Sequence, residues 1–183
     1  MRTITLLVIH CSAVRPDQTS SAAQIDTWHR RDRHYKFGIG YHYVVRRDGQ
    51  IEPGRPEWMV GAHCLHHNSY SIGICYEGGL DICGQPADTR TEAQKTAMLW
   101  LLRQLRKAYP RACIVGHRDL SHDRDCPCFD AVQGMPAAMT RSRIWSSCSC
   151  VALSMWSRST IRDMGHYGGR KKMLWYINQF VSL

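Results

Sequence analysis

The alternation of short apolar runs with two segments of helical periodicity is the feature that most constrains the fold of this chain. Three runs are apolar and rich in β-branched residues, which is typical of buried strands: Thr3–His10, Ser71–Glu77 and Ala112–Gly116. A fourth region, 41–52, places Asp48-Gly49 between two extended stretches and indicates a β-hairpin. Strands that alternate with helices favour the α/β class, with a mixed central β-sheet flanked by helices.

Both helices are predicted from the residues at their N-termini. The first follows Thr19-Ser20-Ser21 and continues with apolar residues at helical spacing. The second follows Thr91-Glu92-Ala93-Gln94, which fits a capping box, and Pro110 ends it. Between the helices, residues 53–69 have no clean periodicity and are predicted to form a long loop, which is a common position for functional residues.

The formal charge of +9 is unevenly distributed over the 183 residues. Residues 1–130 contain 17 Lys and Arg against 14 Asp and Glu, whereas residues 131–183 contain seven and one. Periodicity also weakens after residue 130, so we expect one domain at 1–130 and a basic tail at 131–183. The basic residues of the domain form no stripe with interleaved aromatic residues, so no nucleic-acid partner is expected.

The number of cysteines and the N-terminal sequence indicate the cellular compartment in which the protein is expected to fold. The apolar stretch Ile4–Ile9 is short for the core of a signal peptide and runs into His10, so it is interpreted as a strand and no signal peptide is recognised. Nine cysteines, an odd number, then favour a reducing cytoplasm in which the thiols are packed or bind metal. No run of 18 uncharged apolar residues occurs, so no transmembrane helix is predicted.

Two of the predicted strands end in histidine, at His10 and His117. If these strands run in the same direction in one sheet, both imidazoles emerge at its carboxyl edge, where α/β sheets bind ligands. Cys126 follows in a loop, and two imidazoles with one thiolate suit Zn²⁺ with a fourth position left for water. An alternative for each histidine is that it is only a capping or surface residue at the end of its strand. An alternative for Cys126 is that it forms, with Cys128, one half of a structural zinc site of four cysteines, although no second cysteine pair lies before them at the spacing of a zinc finger.

Six short motifs follow one another in order along residues 3–130. They are Ile9-His10-Cys11-Ser12-Ala13, Gly40-Tyr41-His42-Tyr43 with Arg47-Asp48-Gly49, Gly61-Ala62-His63, Ser71-Ile72-Gly73-Ile74-Cys75 with Gly78-Gly79, Gly116-His117-Arg118-Asp119, and Cys126-Pro127-Cys128-Phe129-Asp130. Each motif is weak alone. Together they resemble the zinc-dependent N-acetylmuramoyl-L-alanine amidases of the phage-lysozyme and peptidoglycan-recognition-protein family, the type 2 amidases.

The resemblance implies a single amidase domain with a C-terminal appendage, and hydrolysis of the amide bond between N-acetylmuramic acid and L-alanine in peptidoglycan by a zinc-activated water. It implies His10, His117 and Cys126 as the Zn²⁺ ligands, the set that their spacing also suggests. It further implies that Tyr41 lies beside the metal and assists catalysis, and that His63 lines the substrate cleft.

Arg124 departs from the family pattern. The phage enzymes carry a lysine two residues before the zinc cysteine, where this chain has Arg124. Arginine keeps a positive charge that steadies a developing oxyanion, but it stays protonated and takes no part in proton transfer. His122 is an alternative titrating group, although a solvated loop residue is the favoured interpretation. His42 is interpreted as structural, and His66 and His67 as surface residues.

The expected setting follows from the resemblance together with the fact that neither a signal peptide nor a wall-binding repeat is recognised. A phage or prophage lysis enzyme, acting as a monomer, is held in the bacterial cytoplasm until it is released at lysis. The alternative is a non-catalytic peptidoglycan-binding recognition module, but such modules usually lack the cysteine ligand. A third alternative is regulation, because some phage amidases of this type also bind a polymerase. No feature of this sequence indicates whether this chain does so. The tail, 131–183, is either a contact surface for anionic membrane or wall polymer or an appendage without a selected role.

Overall fold

The computed structural model of the chain describes residues 2–121 and 124–133. Within these residues the elements follow one another as β1 (Leu6–Cys11), α1 (Ala22–Arg33), β2 (Tyr43–Val45), β3 (Ile51–Pro53), β4 (Ser71–Tyr76), α2 (Glu92–Ala108) and β5 (Cys113–Gly116). His122 and all but the first three residues of the predicted tail lie outside the described residues. None of the helices in the described part has the length and hydropathy that a membrane span requires.

The strands form one mixed sheet in the order β3-β2-β4-β1-β5, which confirms the predicted α/β class. Strand β1 pairs in parallel with β4 and β5, and β2 pairs in parallel with β4, whereas the hairpin strands β2 and β3 are antiparallel. The predicted strand Thr3–His10 begins later than expected, because pairing starts where Leu6 meets Ser71 of β4 and Cys113 of β5. The strands of the hairpin are also shorter than the predicted 41–52.

Both helices begin at the predicted polar residues. Ser21 caps α1 and Thr91 caps α2, each in a capping box with the glutamine three residues on. In α2 the Thr91 hydroxyl accepts the N–H of Gln94 at 3.1 Å, and Gln94 Oε1 accepts the N–H of Thr91 at 3.0 Å. The side-chain amide of Gln94 also donates to the carbonyl oxygens of Val45 and Glu77. The capping residues therefore fix both the start of α2 and its position on the sheet.

The two helices cover the two faces of the sheet unequally. On one face, four apolar side chains of α2 are buried in a core that includes Ile9 of β1 and also Ala131, the first residue of the predicted tail. On the other face, the one buried residue of α1 is Ile25, which packs against Cys75 of β4. Because side chains alternate along a strand and Ile9 faces α2, His10 faces the side of α1. A cleft remains on that side, at the carboxyl ends of the parallel strands.

Candidate active site

The structure brings His10, His117 and Cys126 together at this edge of the sheet. Their candidate donor atoms all lie within 4.8 Å of one another. The pairing of Ile9 with Gly116 in the parallel strands β1 and β5 sets the next residues, His10 and His117, side by side, with ring centroids 4.7 Å apart. Nδ1 of His10 lies 3.8 Å from Sγ of Cys126. Neighbouring strands and one loop thus supply the three donors that the sequence predicted as ligands.

The loop that carries Cys126 is attached to the sheet at several points. The N–H of Cys11 donates to Sγ of Cys126 at 3.3 Å, and the Tyr76 hydroxyl donates to the carbonyl oxygen of Pro127 at 2.7 Å. Pro127 also packs against the backbone of Gly116, where a Cβ atom would lie 2.7 Å from Cδ of the proline ring. Glycine before His117 therefore lets the loop approach β5 closely enough for the thiol of Cys126 to reach the two imidazoles.

The chemistry of the donors suits a metal such as zinc. His10 is 1% exposed, and its pKa lies well below the usual range because burial, together with the nearby His63 and His117, disfavours the charged ring. A neutral imidazole is the form that binds metal. Nearby thiols are poorer candidates: the pKa of Cys11 is raised to about 12, chiefly by its hydrogen bond with Cys126, and contact with Cys11 and burial raise the pKa of Cys128.

Tyr41 lies beside this donor set, in the segment that leads into β2. Its ring centroid is 5.1 Å from that of His10. Burial, followed by the nearby thiols of Cys75 and Cys126, raises the pKa of Tyr41 well above that of a free phenol. The hydroxyl interacts with the Cys75 thiol, which is a weak hydrogen-bond partner. Tyr41 is therefore suited to donate a hydrogen bond and not to act as a base.

His63 also contacts the donor set. Its Nδ1 lies 3.0 Å from Nε2 of His10, and its Nε2 lies 3.2 Å from Oγ of Ser71, the first residue of β4. The loop that carries His63 is held by Asn68, whose side-chain oxygen accepts the backbone N–H groups of His63 and Cys64 at 2.8 and 2.9 Å. The predicted long loop thus places His63 against His10, one of the candidate metal donors.

A cavity of about 800 Å³ opens onto these residues. Its lining includes two arginines, Arg33 and Arg124, and six histidines: His10, His29, His63, His66, His67 and His117. Arg124 is exposed, and within residues 2–121 and 124–133 no salt bridge involves it. His66 is exposed and His67 is partly buried, so these two predicted surface residues also line the cavity wall.

Two of the residues that build the site were not predicted from the sequence. Nδ1 of His29 accepts the backbone N–H of Gly40 at 3.0 Å, and its ring lies 5.5 Å from that of Tyr41, so it fixes the segment that carries the phenol. A signal was available, since His29 follows the buried Ile25 by four residues and so shares its helix face. Asn68 had no comparable signal, because its two bonds depend on the path of the loop.

His42, by contrast, has the structural role that the sequence predicted. It is 1% exposed, and its Nδ1 accepts the backbone N–H of Gly73 at 3.0 Å. Its Nε2 lies 3.1 Å from the carbonyl oxygen of Met59 and 3.1 Å from a guanidinium nitrogen of Arg2. The ring therefore joins β4 to the long loop.

Known proteins resemble this chain both in sequence and in fold. The N-acetylmuramoyl-L-alanine amidase family, Amidase_2, matches residues 1–129. The endolysin of Enterobacteria phage K11 is 38% identical over 122 residues, which are 67% of this chain and 79% of the phage protein. The endolysin amidase LysCS from Clostridium intestinale URNW matches with a TM-score of 0.61 and 29% identity over 70% of this chain and 78% of LysCS. Drosophila PGRP-LB matches with a TM-score of 0.58 and 25% identity over 69% of this chain and 76% of its own.

The family match spans the sheet, both helices and the three candidate metal donors. It covers well over half of the chain, and the phage relative is similar over most of its own length. Sequence and fold therefore agree over the same residues. The chain belongs to the N-acetylmuramoyl-L-alanine amidase family.

Proposed function

We propose that His10, His117 and Cys126 hold a catalytic zinc ion at which this chain hydrolyses the amide bond between N-acetylmuramic acid and L-alanine. Amidase activity follows from membership of the family, and phage endolysins are among its relatives, so the chain is a peptidoglycan amidase of the lysis type. The observation that carries the zinc assignment is the convergence of three donor atoms within 4.8 Å at the carboxyl edge of the sheet.

The residues around the donors support hydrolysis of an amide. Zinc held by His10, His117 and Cys126 would supply a Lewis acid and would activate a water for attack on the amide. Tyr41 keeps its proton because burial raises its pKa. It donates a hydrogen bond to the carbonyl oxygen of the substrate amide as negative charge develops on that oxygen. A donor of this kind contributes ~2.7–4 kcal/mol to transition-state stabilisation. Arg124, on the cavity wall, adds a positive charge that favours the same charge development.

The cavity supports peptidoglycan as the substrate. Its volume of about 800 Å³ lies within the range of ligand sites, and the histidines, arginines and Asn68 among its lining residues offer hydrogen-bond partners for a sugar-peptide substrate. The proposed setting is a monomeric enzyme that stays in the bacterial cytoplasm until lysis. Contact of residues 131–183 with anionic membrane or wall polymer remains a prediction, since most of those residues lie outside the described part of the chain.

Metal removal tests this proposal against the binding-module alternative. The purified full-length chain is expected to contain one zinc per chain by elemental analysis and to cleave a soluble muropeptide. Chelation is expected to abolish cleavage, and added zinc to restore it, because the donors are the only catalytic metal ligands proposed. Peptidoglycan binding without cleavage by the zinc-loaded chain would contradict the proposal and favour a recognition module.

Arg124 is expected to act through its charge alone. Arg124→Lys is expected to retain kcat, and Arg124→Ala to lower it roughly fivefold at low salt, because an exposed charge contributes ~1 kcal/mol or less. The difference between Lys and Ala is expected to shrink at high salt, where exposed charges are screened. Steady-state kinetics at two ionic strengths and zinc analysis of each variant provide the measurement. An alanine variant as active as the parent would show that Arg124 has no role.

A further inference from the structure

We infer that His63 is a positioning residue for the zinc ligand His10: it accepts the Nε2 proton of His10 and so leaves Nδ1 of that ring free for the metal. This inference rests on the proposed function, because it requires zinc at His10. It replaces the expectation that His63 contacts substrate with a role behind the metal ligand.

The two nitrogens of His10 face different partners. Nδ1 lies 3.8 Å from Sγ of Cys126, one of the other two proposed metal donors. Nε2 lies 3.0 Å from Nδ1 of His63. A neutral imidazole carries its proton on one nitrogen only, and the nitrogen that binds a metal must be the unprotonated one. The proton of His10 is therefore on Nε2, and it is donated to Nδ1 of His63.

The same assignment extends one residue further. Because Nδ1 of His63 accepts a hydrogen bond, the proton of a neutral His63 is on Nε2. That nitrogen lies 3.2 Å from Oγ of Ser71, a buried hydroxyl that accepts the bond. With the proton of each histidine on Nε2, His10 donates to His63 and His63 donates to Ser71, and Nδ1 of His10 remains free for a metal. Ligating histidines usually donate their second N–H to a carboxylate or a carbonyl, and here an imidazole takes that position.

The space around His63 holds its ring in this orientation. A Cβ atom at Gly73 would lie 2.5 Å from Cγ and from Cδ2 of the His63 ring, so the ring occupies the space of an absent side chain on β4. Gly61 leaves a similar space, since a Cβ atom there would lie 2.5 Å from Cδ2 of His63. The ring of His42 packs edge-on at a centroid distance of 5.7 Å. With Asn68 holding the backbone, the ring is held against His10.

Two substitutions of equal shape isolate the hydrogen bond. In His63→Asn, Oδ1 occupies nearly the position of Nδ1 and still accepts a proton, whereas His63→Leu has the same branching and no acceptor. Zinc dissociation constants are measured on the full chain by competition with a chromophoric chelator. His63→Leu is expected to bind zinc about 10–100-fold more weakly, the usual effect of removing a partner of a metal ligand, and His63→Asn close to the parent. The absorption spectrum of the cobalt-substituted chain is expected to change in the leucine variant and to be restored in the asparagine variant.

Each outcome decides the matter. Unchanged zinc affinity in His63→Leu, with a raised KM for a muropeptide, would overturn the inference and return His63 to substrate binding. Equal weakening in both variants would also overturn it, because packing and not the hydrogen bond would be responsible. If both variants fail to fold, Ser71→Ala keeps the ring in place and is expected to weaken zinc binding measurably, and parental affinity there would overturn the inference. Absence of zinc binding by the parent would instead refute the proposed function.

Discussion

Cys126→Ala is expected to lose zinc and, with it, all muropeptide cleavage above background. The thiolate is one of only three proposed protein ligands, so its removal is expected to weaken zinc binding by more than about 100-fold. Removal of a residue that only hydrogen-bonds to a metal ligand weakens metal binding by up to about 100-fold, and loss of a ligand itself is expected to cost more. The fold is expected to survive, because Phe129 and Pro127 still attach the loop to the core and to β4. Elemental analysis and circular dichroism of the purified variant separate loss of metal from loss of structure.

Cys128→Ala is the matched control for this change. Cys128 lies in the same loop, two residues away, and its Sγ is 3.7 Å from Sγ of Cys11. Removal of this thiol eliminates a packing contact with Cys11 but leaves all three proposed zinc ligands in place. One zinc per chain and near-parental cleavage are therefore expected. If Cys128→Ala lost the metal and Cys126→Ala kept it, the ligand assignment would be wrong.

Tyr41→Phe is expected to lower kcat by ~10²–10³ while zinc content and KM stay near those of the parent. The effect is large because the phenol is placed beside the donor set and keeps its proton through the pH range of the assay, since burial raises its pKa. Only the hydroxyl is removed, so the ring still packs against His10 and His29. Steady-state kinetics on a soluble muropeptide, with zinc content measured in parallel, test the expectation.

Tyr43→Phe provides the control for the tyrosine change. Its hydroxyl donates to the Glu57 carboxylate, away from the metal donors, so its removal is expected to affect stability and not kcat. Full activity of Tyr41→Phe would remove Tyr41 from the mechanism. A comparable fall in kcat for both variants would point to a general loosening of β2 and of the segment that leads into it.

The sequence predicted the parts of this site that depend on local pattern. His10 and His117 were recognised because each follows an apolar strand, and parallel strands bring such positions to one edge. The Thr91 cap was recognised because its motif is complete within four residues. The contribution of Cys126 was suggested by donor chemistry and by the resemblance to a family, and the structure brings its thiol to the two imidazoles.

The contacts that orient the site were not predictable in this way. The orientation of His63 depends on the space above Gly73, a residue that lies in the next motif and has no side chain to reveal the contact. His29 begins a basic stretch of the sequence, and its spacing from Ile25 indicates only which helix face it shares, not that its ring packs beside Tyr41. Side-chain contacts between separate segments decide both positions, and a single sequence does not contain them.

The strand order has a consequence for the way in which the protein is made. Strand β1 leaves the ribosome before either of its neighbours, yet it is paired on both sides in the finished sheet, with Leu6 beside Ser71 and Cys113. Such long-range parallel pairing makes folding slow, because the entropy of closing large loops is lost before the contacts form. A nascent chain that lacks β5 exposes one edge of β1 to aggregation. Synthesis must pass Cys126 before all three proposed zinc ligands exist, so a shorter nascent chain would lack the complete proposed metal site.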